Sequence, residues 1–356
     1  MLPLERAPDS ICILRLSALG DATHVVPVIR AIRRHWPETR ITWIIGKLEH
    51  KLLGRLEGVE FIVFDKRGGW RSVRELRRAL AGRRFDALLH MQVALRANLL
   101  SRFIAAPIRL GWNRERSRDR HYWFVNRSVA DVPFQHQVPG FLEFARALGV
   151  PSEEPEWRLP VAAADREWAT DMLPGDRPVL MISPCSSHIL RNWSVERYAA
   201  LADYAGTNLG MQVAITGGPS DLERRTGASI EAAAQHPVTN LVGKDTLPQS
   251  MALLERAAVL VSPDSGPAHI ASALGTPVLG LYAATWSRRS GPWRSLDLCV
   301  DRFPEAARRF RDSEPGELRW GTRIEVPGVM DLVQLEDVLE KLDRFMSGRQ
   351  AADPAG

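Results

Sequence analysis

Cysteines and long apolar runs are scarce in this chain, and each scarcity argues against one class of protein. The 356 residues include 3 cysteines, Cys12, Cys185 and Cys299, which lie far apart and form no CxxC pair, so no disulfide framework is indicated. No stretch approaches the roughly 20 apolar residues that a membrane span requires. The first residues also lack the basic-then-apolar pattern of a secretion signal. We therefore expect a cytoplasmic protein.

Familiar cofactor and metal motifs are missing as well. No GxGxxG follows any predicted strand, which disfavours an NAD-dependent dehydrogenase. Neither an Asp-x-Asp nor an HxxxH motif occurs, and the cysteines do not cluster, so the sequence offers no recognisable set of metal ligands.

Arginine, in contrast, is abundant, and the excess lies in the first half of the chain. Residues 1–150 carry 26 Lys and Arg against 14 Asp and Glu, a net charge of +12, whereas the remaining residues carry 21 against 28, a net charge of −7. The densest part runs from Arg67 to Arg127. Such a surface suits an anionic partner, which leaves nucleic acid, an acidic membrane face and a phosphorylated substrate open beside a merely solvated surface.

Short apolar runs alternate with helical patterns along the first half. Ile11–Leu16 is typical of a strand, and it is followed by a glycine turn that ends at Asp21 and by a helix. Further strands are predicted at 41–45, 61–64 and 86–91, with a helix at 72–81. This alternation predicts the parallel sheet of a doubly wound α/β domain, with Asp21 at the carboxyl edge where such sheets bind ligands.

The pattern restarts after a proline- and glutamate-rich linker at Pro151–Pro160. Strands are predicted at 179–183, 212–216, 259–262 and 278–282, with helices at 194–209 and 247–257. We predict two doubly wound domains, residues 1–155 and 156–330, whose carboxyl edges face a central cleft. A C-terminal helix at 331–347 and a frayed tail at 348–356 are expected to follow.

The segment Ser262–His269, with the sequence SPDSGPAH, follows an apolar run and precedes a stretch of small residues. It is typical of a strand end, a turn and a helix amino-terminus. Asp264 or Ser265 can cap that helix, and Pro267 suits the first turn, where a missing N–H costs nothing. The free N–H groups of such a terminus suit an anion such as a diphosphate. An ordinary βα turn with a capping aspartate is the alternative.

Two further loops follow predicted strands of the second domain. Ser186, Ser187 and Arg191 lie in the first loop, and Glu223 lies shortly after a Gly-Gly turn in the second. Hydroxyls and a fixed positive charge suit phosphates, whereas a carboxylate at an adjacent sheet edge suits ribose or sugar hydroxyls. The three loops together favour a binding site over three structural turns.

Four motifs occur in one order between about residues 11 and 295: Leu16-Ser17-x-Leu19-Gly20-Asp21, Ser186-Ser187 with Arg191-x-Trp193, Gly217-Gly218-Pro219 with Glu223, and Asp264-Ser265-Gly266-x-x-His269 with Gly275-Thr276-Pro277-Val278. In this order and spacing they resemble glycosyltransferase family 9, whose best-known members are ADP-heptose:lipopolysaccharide heptosyltransferases. The resemblance implies a GT-B architecture of two Rossmann-like domains, with the acceptor bound by the first and the donor by the second. It also implies an inverting, metal-independent transfer of heptose from ADP-heptose to the lipopolysaccharide inner core, with no further cofactor.

The resemblance implies roles for single residues. Asp21 is expected to be the general base that takes the proton of the acceptor hydroxyl. Arg191 stands where many members have lysine, and it is expected to neutralise the leaving diphosphate beside the hydroxyls of Ser186 and Ser187. Asp264 is expected to hold the donor sugar. The remaining donor contacts implied are Ser265 and Gly266 at the diphosphate, Glu223 at the ribose, Lys244 and Asp245 beside the adenine, and His269, which either approaches the phosphates or packs.

The acceptor is expected to meet the basic first domain. Lys66, Arg67 and Arg71, in the loop after the strand at 61–64, are the predicted contacts. A lipid-linked core oligosaccharide carries carboxylates and phosphates, so a basic face would attract both this acceptor and the anionic membrane that displays it. We expect a monomer that contacts the cytoplasmic face of the inner membrane peripherally.

Alternatives remain at the level of the sequence. The same fold and donor site could serve a different sugar donor, or an acceptor glycan or protein other than lipopolysaccharide. A basic nucleic-acid-binding protein would interleave exposed aromatics with its arginines, but that interpretation leaves the turns at Asp21 and Asp264 unexplained. The leading interpretation therefore includes no nucleic-acid partner.

Overall fold

A computed structural model describes the backbone of residues 2–352 and the side chains of residues 2–349. The chain divides into two compact units, Met1–Pro160 and Val161–Gly356. The division falls at the last residue of the proline-rich linker. Each unit has an α/β fold built around its own parallel sheet.

The first unit contains a parallel sheet of six strands within its described residues. The strands are β1 (Ser10–Leu14), β2 (Arg40–Gly46), β3 (Val59–Phe64), β4 (Ala87–His90), β5 (Ile108–Gly111) and β6 (Arg127–Ser128). Their order in the sheet is β3-β2-β1-β4-β5-β6. All five residues of β1 are buried, which is expected for a central strand covered by helices on both faces.

Helices cover this sheet and connect its strands. They are α1 (Leu19–Thr23), α2 (Val25–His35), α3 (Lys47–Leu53), α4 (Gly69–Leu80), α5 (Leu95–Ser101) and α6 (Gln137–Leu148), with a 3-10 helix at His121–Trp123. The sequence of α2 shows why it packs: Val25, Val28, Ile29 and Ile32 recur at helical spacing and are fully buried. Its last turn carries basic residues, which suit the negative end of the helix dipole.

The second unit repeats the plan. Its strands are β7 (Val179–Ile182), β8 (Gln212–Ile215), β9 (Val238–Asn240), β10 (Val259–Pro263), β11 (Val278–Tyr282) and β12 (Val300–Asp301), in the order β12-β11-β10-β7-β8-β9 within the described residues. The helices are α7 (Ala163–Met172), α8 (Val195–Asn208), α9 (Asp221–Ala233), α10 (Leu247–Arg256), α11 (Gly266–Leu274), α12 (Ser287–Ser290), α13 (Phe303–Arg311) and α14 (Leu335–Ala352). Short 3-10 helices lie at Ile189–Arg191, Trp293–Leu298 and Val329–Leu332.

Both sheets reverse their winding direction at one point. In the first unit the reversal lies between β1 and β4, and in the second it lies between β10 and β7. A doubly wound sheet opens a crevice at such a switch point, outside the carboxyl ends of the strands. The segments after β1, β7 and β10 therefore lie where this fold binds ligands, and these are three of the segments that the sequence singled out.

The central strands and the helices between them agree with the sequence predictions to within a few residues, but the chain end differs. The last helix begins at Leu335 and continues to Ala352, and Met330 belongs to the 3-10 helix before it. Residues 348–352, predicted as tail, are therefore helical, while the predicted tail residues 353–356 lie outside the described part. Among the described helices, none is long and apolar enough to cross a bilayer.

Candidate functional site

The loops after β7 and β10 are hydrogen-bonded to each other at the switch point of the second sheet. The hydroxyl of Ser186 donates to the backbone carbonyl of Asp264 at 2.9 Å, and the Ser186 backbone N–H donates to the side-chain oxygen of Asn192 at 2.7 Å. Ser187, in contrast, is exposed and makes no hydrogen bond within the described residues. The structure thus joins Ser186 to the Asp264 loop and leaves Ser187 at the surface.

The amino-terminus of α11 is built as the sequence predicted. Ser265 is the N-cap, and its hydroxyl oxygen accepts a hydrogen bond from the Ala268 N–H at 3.5 Å. The same hydroxyl is 2.7 Å from the hydroxyl of Ser262. Gly266 and Pro267 open the helix, so the missing proline N–H falls in the first turn where no intrahelical partner is needed. Ser265, rather than Asp264, caps the helix.

Because Ser265 provides the cap, the Asp264 carboxylate is available for other contacts. Its oxygens lie 3.6 Å from Nη1 of Arg191, 3.7 Å from Nε2 of His269 and 3.5 Å from the hydroxyl of Ser290. Burial tends to raise the pKa of Asp264, but His269, Arg191 and the hydroxyl of Thr285 outweigh burial and hold this pKa below its ordinary value. The aspartate is therefore a buried, ionised acceptor at the helix terminus.

Glu325 completes this cluster, and nothing in the sequence indicated it. Nε and Nη2 of Arg191 both donate to Oε1 of Glu325, at 2.8 and 2.5 Å, and Nε2 of His188 lies 3.7 Å from Oε2. The backbone N–H of Ile324 donates to the carbonyl of Ala284, which fixes the Glu325 segment near the carboxyl end of β11. Because Glu325 lies 134 residues from Arg191 in a segment without regular structure, no local pattern could have found it.

Three other predicted donor residues lie at the carboxyl ends of β8 and β9. Glu223 accepts from the Gly218 N–H at 2.8 Å and from the Ser220 hydroxyl at 2.6 Å, so its carboxylate braces the Gly-Gly turn and the start of α9. Lys244 donates to the carbonyl of Asn240. Burial raises the pKa of Asp245 to about 6, and the nearby charge of Glu223 adds to this shift.

The strand ends β10, β7, β8 and β9 are consecutive neighbours in the sheet. The predicted donor residues therefore line one continuous edge, with the buried guanidinium of Arg191 at one side and the turn braced by Glu223 at the other. Positive charge, hydroxyls and helix N–H groups at the β10 and β7 ends can stabilise an anion. Carboxylate oxygens at the β8 and β9 ends can accept hydrogen bonds from hydroxyls or amines.

Within the first unit, Asp21 lies in the first turn of α1, directly after β1. Its Oδ2 is 2.5 Å from Nη2 of Arg15, a residue that the sequence analysis did not identify. Arg15 is in turn fixed, because Nη1 donates to the carbonyl of Met91 at 2.6 Å and the guanidinium lies 5.2 Å from the ring centroid of Phe141. The carboxylate is thus oriented by a cation that is itself held on two sides.

Lys66 contacts the segment between β1 and α1, which leads to Asp21, whereas Arg67 and Arg71 make no hydrogen bond or ion pair with that segment in the described part of the chain. The ammonium of Lys66 donates to the carbonyl of Leu16 at 3.3 Å and to the buried carboxylate of Glu49 at 3.0 Å. Arg67 is exposed, and its backbone N–H donates to Asp65. Arg71 is exposed on α4, where it pairs with Glu75.

Close packing holds the segment between β1 and α1 in place. A Cβ atom on Gly46 would lie 2.2 Å from both the Leu16 carbonyl and Oε2 of Glu49, so only glycine fits there. The side chain of Gln92 binds the same loop from the other side, accepting from the Leu16 N–H at 2.6 Å and donating to the Ser17 hydroxyl at 2.9 Å. Neither Gln92 nor Glu49 was predicted, since each belongs to a different βα connection.

Among the described side chains, no group of three or more His, Cys, Asp and Glu residues is close enough together to hold a metal ion.

Comparisons with known proteins agree on the family. The chain matches the model of "Glycosyltransferase family 9 (heptosyltransferase)" over residues 73–317. It is 38% identical over 345 residues to the lipopolysaccharide core heptosyltransferase OpsX of Haemophilus influenzae, covering 97% of this chain and 99% of that protein.

Two solved structures share the fold. A family 9 glycosyltransferase from Veillonella parvula superposes with a TM-score of 0.77 at 21% identity, covering 96% of this chain and 97% of that one. The ADP-heptose lipopolysaccharide heptosyltransferase II of Escherichia coli superposes with a TM-score of 0.71 at 20% identity, covering 96% of this chain and 99% of that one. The fold is therefore of the GT-B type. With the family match and the near full-length relative, this places the chain in glycosyltransferase family 9, and the protein is a glycosyltransferase.

Proposed function

We propose that this glycosyltransferase transfers a heptose from ADP-heptose to the inner core of lipopolysaccharide, with inversion at the anomeric carbon and without a metal ion. The observation that carries the proposal is the identity to a lipopolysaccharide core heptosyltransferase along nearly the whole of both chains. The buried cluster at the start of α11 supports it, because a diphosphate leaving group needs positive charge where it departs.

Charge on the departing ADP would be neutralised by Arg191 and by the N–H groups of the first turn of α11. The Ser265 hydroxyl and the adjacent Gly266 backbone flank the same position. Asp264, ionised and close to His269, would accept hydrogen bonds from hydroxyls of the donor sugar. His269 would contribute to the site through its contact with Asp264.

The adenosine part of the donor would extend along the edge toward β8 and β9. Glu223 would accept from the ribose hydroxyls with the lone pairs that the Gly218 and Ser220 contacts leave unused. Lys244 and Asp245 would border the adenine. The raised pKa of Asp245 means that a fraction of this carboxyl is protonated near pH 6 and can donate as well as accept.

We assign the role of general base, in the first unit, to Asp21. It would take the proton of the acceptor hydroxyl as that oxygen forms a bond to the anomeric carbon and the bond from this carbon to the ADP oxygen breaks. Arg15 orients the carboxylate, and Lys66, Arg67 and Arg71 would attract the phosphates and carboxylates of the acceptor. Lys66 would do so from beside the Asp21 loop, and the two exposed arginines from farther out.

The acceptor chemistry also suggests where the protein acts. A lipid-linked, anionic acceptor is displayed at a membrane surface, so we propose a monomer that works peripherally at the cytoplasmic face of the inner membrane, with no nucleic-acid partner.

Release of nucleoside diphosphate from a panel of sugar nucleotides, with core lipopolysaccharide lacking heptose as acceptor, tests the function. We expect turnover with ADP-heptose and little with UDP- or GDP-sugars. Asp264→Asn should lower kcat/KM for the donor by at least about ten-fold. The matched control is Asp171→Asn, on the exposed face of α7, which should leave kcat/KM unchanged. Turnover with another sugar nucleotide, or only with a different glycan or a protein acceptor, would overturn the assignment of donor or acceptor.

A further inference from the structure

Helix α5 of the first unit presents an unusual outer face. Its inner positions, among them Ala97 and Leu100, are buried against the sheet. Its outer positions are not the acids and amides expected of a solvated helix: Leu95 and Leu99 are 53% and 52% exposed, and Phe103 follows one turn later, also exposed. Exposed leucines four residues apart form a continuous apolar stripe on a helix.

Two aromatic residues extend this stripe beyond the helix. Tyr122 and Trp123 are both exposed, and their segment is attached to the start of α5, because the carboxylate of Asp119 accepts from the Leu95 N–H and the Asp119 carbonyl accepts from the Asn98 amide, both at 2.9 Å. The guanidinium of Arg120 lies 4.8 Å from the Trp123 ring centroid. We call the surface formed by Leu95, Leu99, Arg102, Phe103, Tyr122 and Trp123 the α5 face.

Only positive charge accompanies these apolar groups along the helix. No Asp or Glu occurs between residues 87 and 114, and the exposed polar side chains on the outer side of α5 are Arg96 and Arg102. From the neighbouring helix α4, Arg77 places its guanidinium 5.3 Å from the Phe103 ring centroid. The α5 face is therefore an apolar stripe bordered mainly by arginines, with the carboxylate of Asp119 at the start of the helix.

We propose that the α5 face docks on the surface of an anionic lipid membrane. Leucine and phenylalanine side chains would enter the boundary between headgroups and acyl chains, tyrosine and tryptophan would lie at headgroup level, and the arginines would contact lipid phosphates. This pairing of an apolar stripe with a basic border is what an interfacial helix needs, since neither part alone binds a membrane firmly.

Other occupants fit this surface less well. A second copy of the chain, related by two-fold symmetry, would bring the arginines of one face against those of the other. A nucleic acid would be bound by arginines and stacked aromatics, but the exposed leucines have no partner on a phosphate backbone. The net charge of +12 over residues 1–150 favours an extended anionic surface.

The face is also continuous with the predicted acceptor loop. Nη1 of Arg96, on α5, donates to the backbone carbonyl of Lys66 at 2.9 Å, and Lys66 lies beside the loop that carries Asp21. A membrane seated on the α5 face would therefore bring its headgroups close to the residues proposed to receive a lipid-linked acceptor. The inference rests on the proposed function in this respect alone.

Co-sedimentation of the full chain with lipid vesicles tests the proposal. The wild-type protein should bind phosphatidylcholine vesicles that contain phosphatidylglycerol and should not bind vesicles of phosphatidylcholine alone. The double variant Leu99→Ser, Phe103→Ser should lower the partition coefficient by about ten-fold or more, and Arg102→Gln by about five-fold. Leu222→Ser and Arg177→Gln, exposed positions of the second unit, are the matched controls and should bind as the wild type does.

A spectroscopic readout locates the contact. Brominated lipid should quench a smaller fraction of the tryptophan emission in Trp123→Phe than in the wild type. In Trp168→Phe, a change in the second unit, the quenched fraction should be at least as large as in the wild type. Equal vesicle binding by wild type and the double variant, or a wild type that does not bind anionic vesicles, would refute the proposal. So would a dimer or a duplex DNA complex that the double variant abolishes while vesicle binding persists.

Activity on a soluble acceptor separates this inference from the proposed function. With a deacylated, water-soluble core oligosaccharide, the α5-face variants should turn over at the wild-type rate, and with an acceptor embedded in vesicles they should be slower. If the wild type fails on every lipopolysaccharide acceptor, the proposed function is wrong, but the vesicle-binding results still decide whether the α5 face meets a membrane.

Discussion

The ion pair of Arg191 and Glu325 allows the physical description of the donor site to be tested quantitatively. The side chains keep 9% and 20% of their accessible surface, and two hydrogen bonds join them. Exposed ion pairs contribute about 0–1 kcal/mol, but removing one member of a buried pair costs about 3–5 kcal/mol, because the other charge is left without compensation. Since Glu325 retains some contact with water, we expect Arg191→Gln to cost about 3 kcal/mol, the lower end of that range.

Glu325→Gln should be milder. Arg191 would still lie 3.6 Å from the Asp264 carboxylate, so its charge would keep a partner, and we expect a loss of about 1–2 kcal/mol. The double variant removes both charges and should cost less than the sum of the single changes, with a coupling of about 1–3 kcal/mol.

Urea unfolding of the four proteins without ligand, followed by circular dichroism, measures the coupling, provided that the m values agree. Arg344 and Glu340 supply a matched control, since they form an ion pair on α14 in which both side chains are 70% exposed. The corresponding cycle there should give a coupling below about 0.5 kcal/mol. If the effects of Arg191→Gln and Glu325→Gln on the free energy of unfolding are also additive within about 0.5 kcal/mol, the pair is not coupled and the reasoning is wrong.

Three further predictions concern single residues. Asp21→Asn should reduce kcat by about 10²–10⁴-fold and leave the affinity for ADP, measured by calorimetry, unchanged; wild-type turnover would exclude Asp21 as the base. Because the pKa of Asp245 is raised from 3.8 to about 6, the folded state holds this proton more tightly than the unfolded state, so its carboxyl destabilises the fold progressively as pH rises through that window. Asp245→Asn should therefore raise the free energy of unfolding by about 1–2 kcal/mol at pH 7–8 and leave it unchanged below pH 4; an equal gain at both pH values would contradict this cause. Ser265→Ala removes the N-cap of α11 and should cost about 1 kcal/mol in urea unfolding while weakening ADP binding, whereas a stability equal to that of the wild type would show that the cap is dispensable.

Much of the fold followed from local patterns. The central strands are short apolar runs, and α2 repeats its buried residues at helical spacing, so each element could be predicted without its neighbours. The short strands β5, β6, β9 and β12, which lie at or next to the edges of the sheets, were missed, because runs of two to four residues carry too little periodicity to stand out.

The candidate site, like the fold, could be predicted from the sequence only in part. The sequence alone determined which loops follow which strands, and hence that the segments bearing Asp21, Arg191 and Asp264 belong to carboxyl sheet edges, since the order of strands and turns is local information. Only the tertiary structure determined which side chains these residues contact. Arg191 meets Glu325 across 134 residues, a contact that depends on how separate βα connections converge at one edge. Local pattern determines where a side chain can be presented, but its charge environment is set by groups distant along the chain, and these become neighbours only when the sheet is assembled.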